Sequence, residues 1–228
     1  MEPVVFLLDV DNTLLDNDAV QADLAAHLEA RFGAARCARY WGIFEALRAE
    51  LGYADYLGAL QRLRLEQLDE PALYEIAFFL LDYPFAARLY PQAGVALAHC
   101  AGLGRTVILS DGDVVFQPRK VQRSGLWAAV EGRVLIYLHK EQMLPQVEAR
   151  HPAAHYVAVD DKLRILTALK RHWGARVTTV FVRQGHYAHA PQVSTAAPAD
   201  LTLTHIGELS SLSPAALHVA SCPPKRLG

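Results

Sequence analysis

The sequence is short of three features, and each shortage excludes a class of protein. It has only three cysteines, Cys37, Cys100 and Cys222, with no C-x-x-C spacing, so neither a disulfide framework nor a zinc site is expected. It has no run of about 18 apolar residues and no basic region at its start, which argues against a membrane span and a signal peptide. Its 22 basic and 24 acidic residues leave a net charge of −2, so no strong field favours nucleic acid or an anionic membrane.

The composition is that of a folded protein. Hydrophobic residues make up 52 % of the 228 residues and charged residues 20 %, which excludes intrinsic disorder. A chain of this length forms one large domain, or one domain with a modest insertion. An odd number of cysteines without paired spacing is typical of a reducing compartment, so we expect a cytoplasmic protein. We expect it to be a monomer or a homodimer, without a nucleic-acid or membrane partner.

Short apolar runs, typical of buried parallel strands, alternate with helical patterns along most of the chain. The runs cover residues 3–8, 105–109, 133–138, 155–159 and 177–182, with a weaker one at 200–204. Helical patterns lie between most of them, and two of these end at Gly125 and Gly174. The alternation predicts right-handed crossovers and an α/β fold with a doubly wound parallel sheet.

Residues 16–88 break this alternation, because they contain no predicted strand. Asn17 or Asp18 can cap the first helical pattern, the others start near residue 36, at Tyr53 and at Pro71, and the third ends at Gln67. Four helices inserted after the first strand predict a separate cap. We therefore predict a core of residues 1–15 and 89–228, and a helical cap of residues 16–88.

The predicted cap contains an aromatic-rich patch with one cation. Its members are Tyr40, Trp41, Phe44, Arg48, Tyr53 and Tyr56. Aromatic residues at helical spacing are usually core residues. Any that face the cleft would instead select the substrate's leaving group.

Polar residues follow each predicted strand, and in a parallel sheet these positions share one edge. They are Asp9 and Asp11 after the first strand, Ser110, Asp111 and Gly112 after the second, Lys140 after the third, and Asp160 and Asp161 after the fourth. Buried acids at one edge repel one another unless a cation lies among them. All-oxygen ligands suit Mg²⁺, while a lysine, a hydroxyl and loop amides beside the metal suit a phosphoryl group.

The motifs in this order resemble those of the haloacid dehalogenase-like (HAD) superfamily, whose members are mostly Mg²⁺-dependent phosphohydrolases. Asp9-Val10-Asp11-Asn12-Thr13 matches the first motif, D-x-D-x-T, and Leu109-Ser110-Asp111 matches the second. Lys140 fits the third motif, and Val159-Asp160-Asp161 fits the acidic fourth. The resemblance covers residues 3 to about 209 and implies a Rossmann-like core with a helical C1 cap. It also implies a hydrolase that acts on a small phosphorylated metabolite.

The resemblance implies a role for each motif residue. Asp9 would attack phosphorus and form an aspartyl-phosphate. Asp11 would protonate the leaving oxygen and then activate water. Ser110 would hydrogen-bond the phosphoryl group beside Asp111 and Gly112, Lys140 would offset negative charge, and Thr13 would brace the turn.

The resemblance also implies a Mg²⁺ site. Asp9 and Asp160 would bind the ion through their side chains and Asp11 through its carbonyl oxygen. Asp161 would act from outside the coordination sphere or through water. The fourth motif is a bare Asp-Asp pair followed by Lys162, which leaves the second acidic ligand open, and Asn12 replaces the commoner glycine of motif one.

Several local alternatives stay open. Asp9 and Asp11 could belong to a simple Asx turn, and Asp160 and Asp161 could cap the next helix. Lys120 is a rival to Lys140, but we expect it about two turns into a helix, where it packs or is solvated. We therefore expect Lys140, and not Lys120, to reach Asp9 or Asp160.

The function has alternatives as well. A 2-haloacid dehalogenase shares the fold, but such enzymes lack an acid at the position of Asp11. A phosphomutase or a phosphonate hydrolase would use related motifs. A signalling receiver domain or an inactive scaffold are the non-enzyme alternatives, although a receiver is about half this length. His186 and His189 have metal-like spacing but no third ligand nearby, so zinc is not expected.

Overall fold

The protein is built on a six-stranded parallel sheet. The computed structural model describes residues 2–66, 71–189 and 197–218. The strands are β1 (Glu2–Leu8), β2 (Arg105–Asp111), β3 (Val134–Tyr137), β4 (Ala153–Asp160), β5 (Val177–Val182) and β6 (Leu201–Leu203). Their order is β3-β2-β1-β4-β5-β6, with every neighbouring pair parallel. This confirms the predicted doubly wound α/β fold.

Helices cover both faces of the sheet, and alternate residues of β1 therefore pack into two different hydrophobic cores. Phe6 and Leu8 pack into one hydrophobic cluster, whereas Val5 and Leu7 pack into the other. The helices after the first hundred residues are α6 (Phe116–Arg123), α7 (Leu126–Ala129), α8 (Leu144–Arg150), α9 (Leu163–Trp173) and α10 (Gly185–Ala188), and α5 (Ala93–Leu103) precedes β2. A strand buried on both faces explains the continuous apolar runs of the sequence.

Between β1 and α5 the chain forms four α-helices in its described part. They are α1 (Asn17–Phe32), α2 (Ala34–Leu51), α3 (Tyr56–Arg64) and α4 (Ala72–Asp82). Asp16, and not Asn17 or Asp18, caps α1, since its side chain accepts a hydrogen bond from the Ala19 amide. The predicted end of the third helix at Gln67 lies outside the described residues. The division into a core and a cap stays a prediction.

The four helices contact the sheet domain directly above the carboxyl ends of the strands. The Tyr56 ring lies 5.1 Å from the Phe116 ring, and its hydroxyl accepts hydrogen bonds from Asn17 and Gln21. Gly52, at φ +79°, ends α2 so close to His139 that a Cβ there would lie 2.6 Å from the imidazole. His139 is therefore a packing neighbour of the predicted cap.

Two further sequence expectations concern the cysteines and the membrane. Cys37 and Cys100 are buried free thiols, and Cys222 lies outside the described residues. In the described part of the chain, no helix combines the length and the apolar character needed to cross a membrane.

Candidate active site

The turn after β1 places Asp9 at the centre of the site. Asp9 is only 3 % exposed, and the Thr13 hydroxyl donates a hydrogen bond to its Oδ2 at 3.1 Å. Asn12 adopts a left-handed backbone with φ 61°, which asparagine tolerates better than most residues. Its Oδ1 also accepts hydrogen bonds from the amides of Asn17 and Asp18. Asparagine can therefore stand where glycine is commoner, because it supplies both the conformation and the contacts to α1.

Three buried carboxylates from β1 and β4 converge beside this turn. One oxygen each of Asp9, Asp160 and Asp161 lies within 4.8 Å of the others. Burial raises the pKa of Asp160 and of Asp161, and the nearby acids raise both further. Both carboxylate oxygens of Asp161 are buried without a hydrogen-bond partner. The cluster is therefore short of positive charge and of donors.

Lys140 supplies one buried positive charge to the cluster. Its Nζ lies 2.6 Å from Asp9 Oδ1 and 2.7 Å from Asp160 Oδ2, and the residue is 1 % exposed. Burial opposes its charge, but Asp160 and Asp9 outweigh that effect and raise the pKa of the ammonium. The predicted salt-bridge reach of Lys140 is thus confirmed. Lys140 itself begins a 3-10 turn (Lys140–Gln142), which precedes α8.

Lys120 packs in the interior, as one of the two expectations for it has it, but it also forms an ion pair with motif one that the sequence does not indicate. Lys120 is fully buried, and its Nζ lies 2.8 Å from Asp11 Oδ1 and 2.9 Å from Asn17 Oδ1. Helix α6 begins at Phe116, because the Asp113 side chain accepts hydrogen bonds from the amides of Val115 and Phe116. Lys120 therefore lies one turn into the helix, and helical side chains lean toward the N-terminus. Both lysines reach a carboxylate of motif one, but not the same one.

Ser110, Asp111 and Gly112 lie at the end of β2, where Gln117 joins them to Asp11. Gln117 Nε2 donates to Ser110 Oγ at 3.0 Å and to Asp11 Oδ2 at 3.3 Å. Gly112 allows this approach, since a Cβ at that position would lie 2.6 Å from the Gln117 Cβ. Asp111 accepts a hydrogen bond from the Lys140 amide at 2.7 Å, and burial raises the pKa of Asp111. Sequence reasoning missed Gln117, which has no motif to mark it.

The donor set of Asp9, Asp160 and Asp161 fits Mg²⁺. It offers only carboxylate oxygens, which suit a hard divalent ion. Two of these oxygens, both on Asp161, accept no hydrogen bond. Asp160 also accepts a hydrogen bond from the Lys162 amide at 2.8 Å, so it braces the turn before α9, while Asp161 caps nothing. The Asp11 side chain points instead to Lys120 and Gln117.

The histidine pair does not form a metal site with the residues described. His186 Nδ1 lies 2.6 Å from Asp18 Oδ1, and the His186 amide donates to Asp18 Oδ2 at 2.8 Å. Gly185, at φ +67°, lies so close to Asn12 that a Cβ would approach its Cβ to 2.4 Å. The start of α10 is therefore packed against the motif-one turn and α1.

A pocket of about 420 Å³ opens between the site and the helices above it. Asp11, Asp111, Gly112 and Gln117 line it from the sheet domain. Of the aromatic patch, Tyr40 and Phe44 are core residues, Arg48 and Tyr53 line the pocket, and the buried Tyr56 does both. Lys162, Arg164 and Tyr187 also line the pocket, and no sequence motif indicates them.

Solved structures with this fold include one that shares most of this sequence. A haloacid dehalogenase-like hydrolase from Burkholderia xenovorans LB400 is 64 % identical over 93 % of this chain and 100 % of its own, with a TM-score of 0.89. The chain therefore belongs to the haloacid dehalogenase-like hydrolases. No protein-family model and no curated protein matches it.

More distant structures share the fold alone. L-2-haloacid dehalogenase from Xanthobacter autotrophicus is 21 % identical over 91 % of this chain and 97 % of its own, with a TM-score of 0.59. A magnesium-bound HAD-hydrolase from Bacillus subtilis is 17 % identical over 92 % of this chain and 98 % of its own, also with a TM-score of 0.59. The fold thus occurs both in a dehalogenase and in a magnesium-bound hydrolase.

Proposed function

We propose that the protein is a Mg²⁺-dependent phosphohydrolase of a small phosphorylated metabolite. The observation that carries this proposal is the buried cluster of Asp9, Asp160 and Asp161, in which Lys140 pairs with two of the three carboxylates and both oxygens of Asp161 lack a hydrogen-bond partner. A bound Mg²⁺ would supply the missing positive charge and polarise a phosphoryl oxygen. Asp9, Asp160 and Asp161 would hold it.

The protein's own residues then divide the chemistry. The Asp9 carboxylate attacks phosphorus, the ester P–O bond breaks, and Asp11 gives its proton to the leaving oxygen. Water next attacks phosphorus of the aspartyl-phosphate, gives a proton to Asp11, and releases phosphate from Asp9. Ser110 and Lys140 contact the phosphoryl oxygens, and Asp11 suits the proton transfers because it lines the pocket and is held by Lys120 and Gln117.

Asp11 separates this proposal from a haloacid dehalogenase. A dehalogenase releases halide, which needs no proton, so a carboxylate placed to protonate a leaving group favours the phosphohydrolase. A phosphomutase would instead return the phosphoryl group to a second hydroxyl.

The test measures both reactions on one preparation. We expect phosphate release from p-nitrophenyl phosphate with Mg²⁺, loss of that activity in EDTA, and its return when Mg²⁺ is added back. Asp9→Asn should abolish turnover while the protein keeps its fold. Chloride release from L-2-chloropropionate in EDTA, without phosphatase activity, would overturn the proposal.

A further inference from the structure

The pocket above the site carries more positive charge than the phosphoryl chemistry uses. Arg48 at the end of α2, Lys162 before α9 and Arg164 on α9 all line it. Arg48 belongs to the four helices, whereas Lys162 and Arg164 belong to the sheet domain. The three cations therefore lie close together because these two parts face each other across the cleft. Like charges gathered in this way attract an anion.

The cations differ in how far they are already neutralised. Arg164 is largely exposed, and it already has an ion-pair partner, because it lies 3.0 Å from Glu141. Arg48 lies 3.5 Å from Glu45, which is itself mostly exposed to water. Lys162 forms no ion pair within the described part of the chain. Arg48 and Lys162 are therefore less neutralised than Arg164, although the Lys162 charge also acts on Asp160 and Asp161.

The side chains of Arg48 and Lys162 both contact one aromatic ring, that of Tyr187. The Lys162 ammonium lies 4.8 Å from the centre of the Tyr187 ring, and the Arg48 guanidinium lies 5.5 Å from the same ring. A ring attracts cations through its quadrupole, but it does not cancel their charge. The arrangement keeps two cations ready for a negative group.

The acids of the same pocket cancel these cations only in part, because Lys162 lies near enough to Asp111 to oppose the rise in the pKa of that carboxyl. Asp11 is paired with Lys120, and Asp111 accepts the Lys140 amide beside the Lys140 charge. Both acids belong to the candidate active site, where the phosphoryl group is expected. The pocket thus joins a phosphoryl site to a second positive region.

We propose that Arg48 and Lys162 bind a second anionic group on the leaving-group side of the substrate. This inference rests on the proposed phosphohydrolase function and narrows its substrate class. The substrate is then a small phosphate ester that also carries a carboxylate or a second phosphate. A volume of about 420 Å³ accommodates such a metabolite but not a polymer.

Matched substrate pairs test the inference. 3-Phosphoglycerate and glycerol 3-phosphate differ by a carboxylate against a hydroxymethyl group. Propane-1,3-diol bisphosphate and 3-hydroxypropyl phosphate differ by a second phosphate. We expect kcat/KM with Mg²⁺ to favour the charged member of at least one pair by about tenfold or more, which is at least ~1.4 kcal/mol. The pair that shows the preference identifies the anion.

Variants then assign the preference to residues. Arg48→Met and Lys162→Met should each lower the charged-to-neutral ratio of kcat/KM about tenfold, mainly through KM of the charged substrate. Arg62→Met is the matched control, because Arg62 lies on α3 against Glu50 and outside this pocket, and its ratio should stay unchanged. Melting curves confirm that each variant is folded.

The outcomes separate the two proposals. If p-nitrophenyl phosphate and all four esters resist hydrolysis with Mg²⁺, the phosphohydrolase function fails, and this inference fails with it. If the esters are hydrolysed but neither charged member is preferred, only the inference fails. An equal loss for both members of a pair in Arg48→Met and Lys162→Met also overturns it, since those residues would then serve the structure or the common phosphoryl group.

Discussion

The buried pair of Lys120 and Asp11 yields the sharpest mechanistic prediction. Lys120→Met keeps the length of the side chain but removes the ammonium that contacts Asp11 Oδ1 and Asn17 Oδ1. Among the described residues, Gln117 at 3.3 Å would then be the remaining side-chain partner of Asp11, and the carboxylate would be free to rotate away from its working position. We therefore expect Lys120 to act as a positioning residue for the proposed acid and base.

The expected loss of turnover follows from what a general acid usually contributes. A general acid typically contributes about 10²–10⁴-fold, and a misplaced one keeps part of that. We expect Lys120→Met to lower kcat about 10- to 100-fold for alkyl phosphates, or ~1.4–2.7 kcal/mol. The free energy of unfolding should change less, by under about 2 kcal/mol. The unpaired Asn17 oxygen is a cost, but the buried charge of Lys120 is removed, and Asp11, with 25 % of its side chain exposed, can be hydrated.

The assay compares leaving groups in a double-mutant cycle. The loss should be large for alkyl phosphates and small for p-nitrophenyl phosphate, whose leaving group needs no proton. Asp11→Asn combined with Lys120→Met should be no slower than Asp11→Asn alone, because both changes remove one function. Lys170→Met is the control, since Lys170 pairs with Asp200 on the surface. Full alkyl phosphatase activity in folded Lys120→Met, or a further tenfold loss in the double variant, would refute this reasoning.

Three further predictions follow from the same geometry. Lys140→Ala should lower kcat at least about tenfold for aryl and alkyl phosphates alike, because its ammonium contacts Asp9 itself, and a leaving-group-dependent loss would contradict this role. In EDTA, the free energy of unfolding from urea titrations should fall as the pH rises above about 3.8, since burial raises the folded-state pKa of Asp160 and Asp161 and the native state then binds more protons than the unfolded chain. Mg²⁺ or Asp161→Asn should flatten that fall, and an equal slope in all three samples would argue against the cluster. Gly185→Ala should destabilise the protein by about 1–3 kcal/mol, because φ is +67° and the new Cβ meets Asn12, and an unchanged melting temperature would show that the turn can relax.

The sheet and the motif residues could be predicted because parallel strands leave a simple record in the sequence. The run at residues 177–182 predicts β5 with the bounds that the structure shows, since a strand buried on both faces contains only apolar and β-branched residues. The carboxyl ends of such strands share one edge. The convergence of Asp9, Asp160 and Asp161 therefore follows from topology alone.

The direction of a long side chain leaves no such record. The sequence predicts Lys120 about two turns into its helix, whereas the Asp113 side chain delays the start of that helix to Phe116 and leaves Lys120 only one turn in. The Tyr187 contacts are harder still, because Arg48, Lys162 and Tyr187 are far apart in sequence and meet only in three dimensions. A single sequence holds no periodicity that would join them.

The two carboxylates of motif one show why both lysines are needed. Asp9 and Asp11 are separated by one residue, yet Asp9 faces Lys140 within the acidic cluster and Asp11 faces Lys120 beside the pocket. A nucleophile must stay charged next to other acids, which a buried ammonium and a metal ion can support. A group that exchanges protons with the leaving oxygen must instead reach the pocket, where Asp11 lies. One residue, the buried Val10, lies between the two carboxylates, so the turn after β1 separates the proposed roles within three residues.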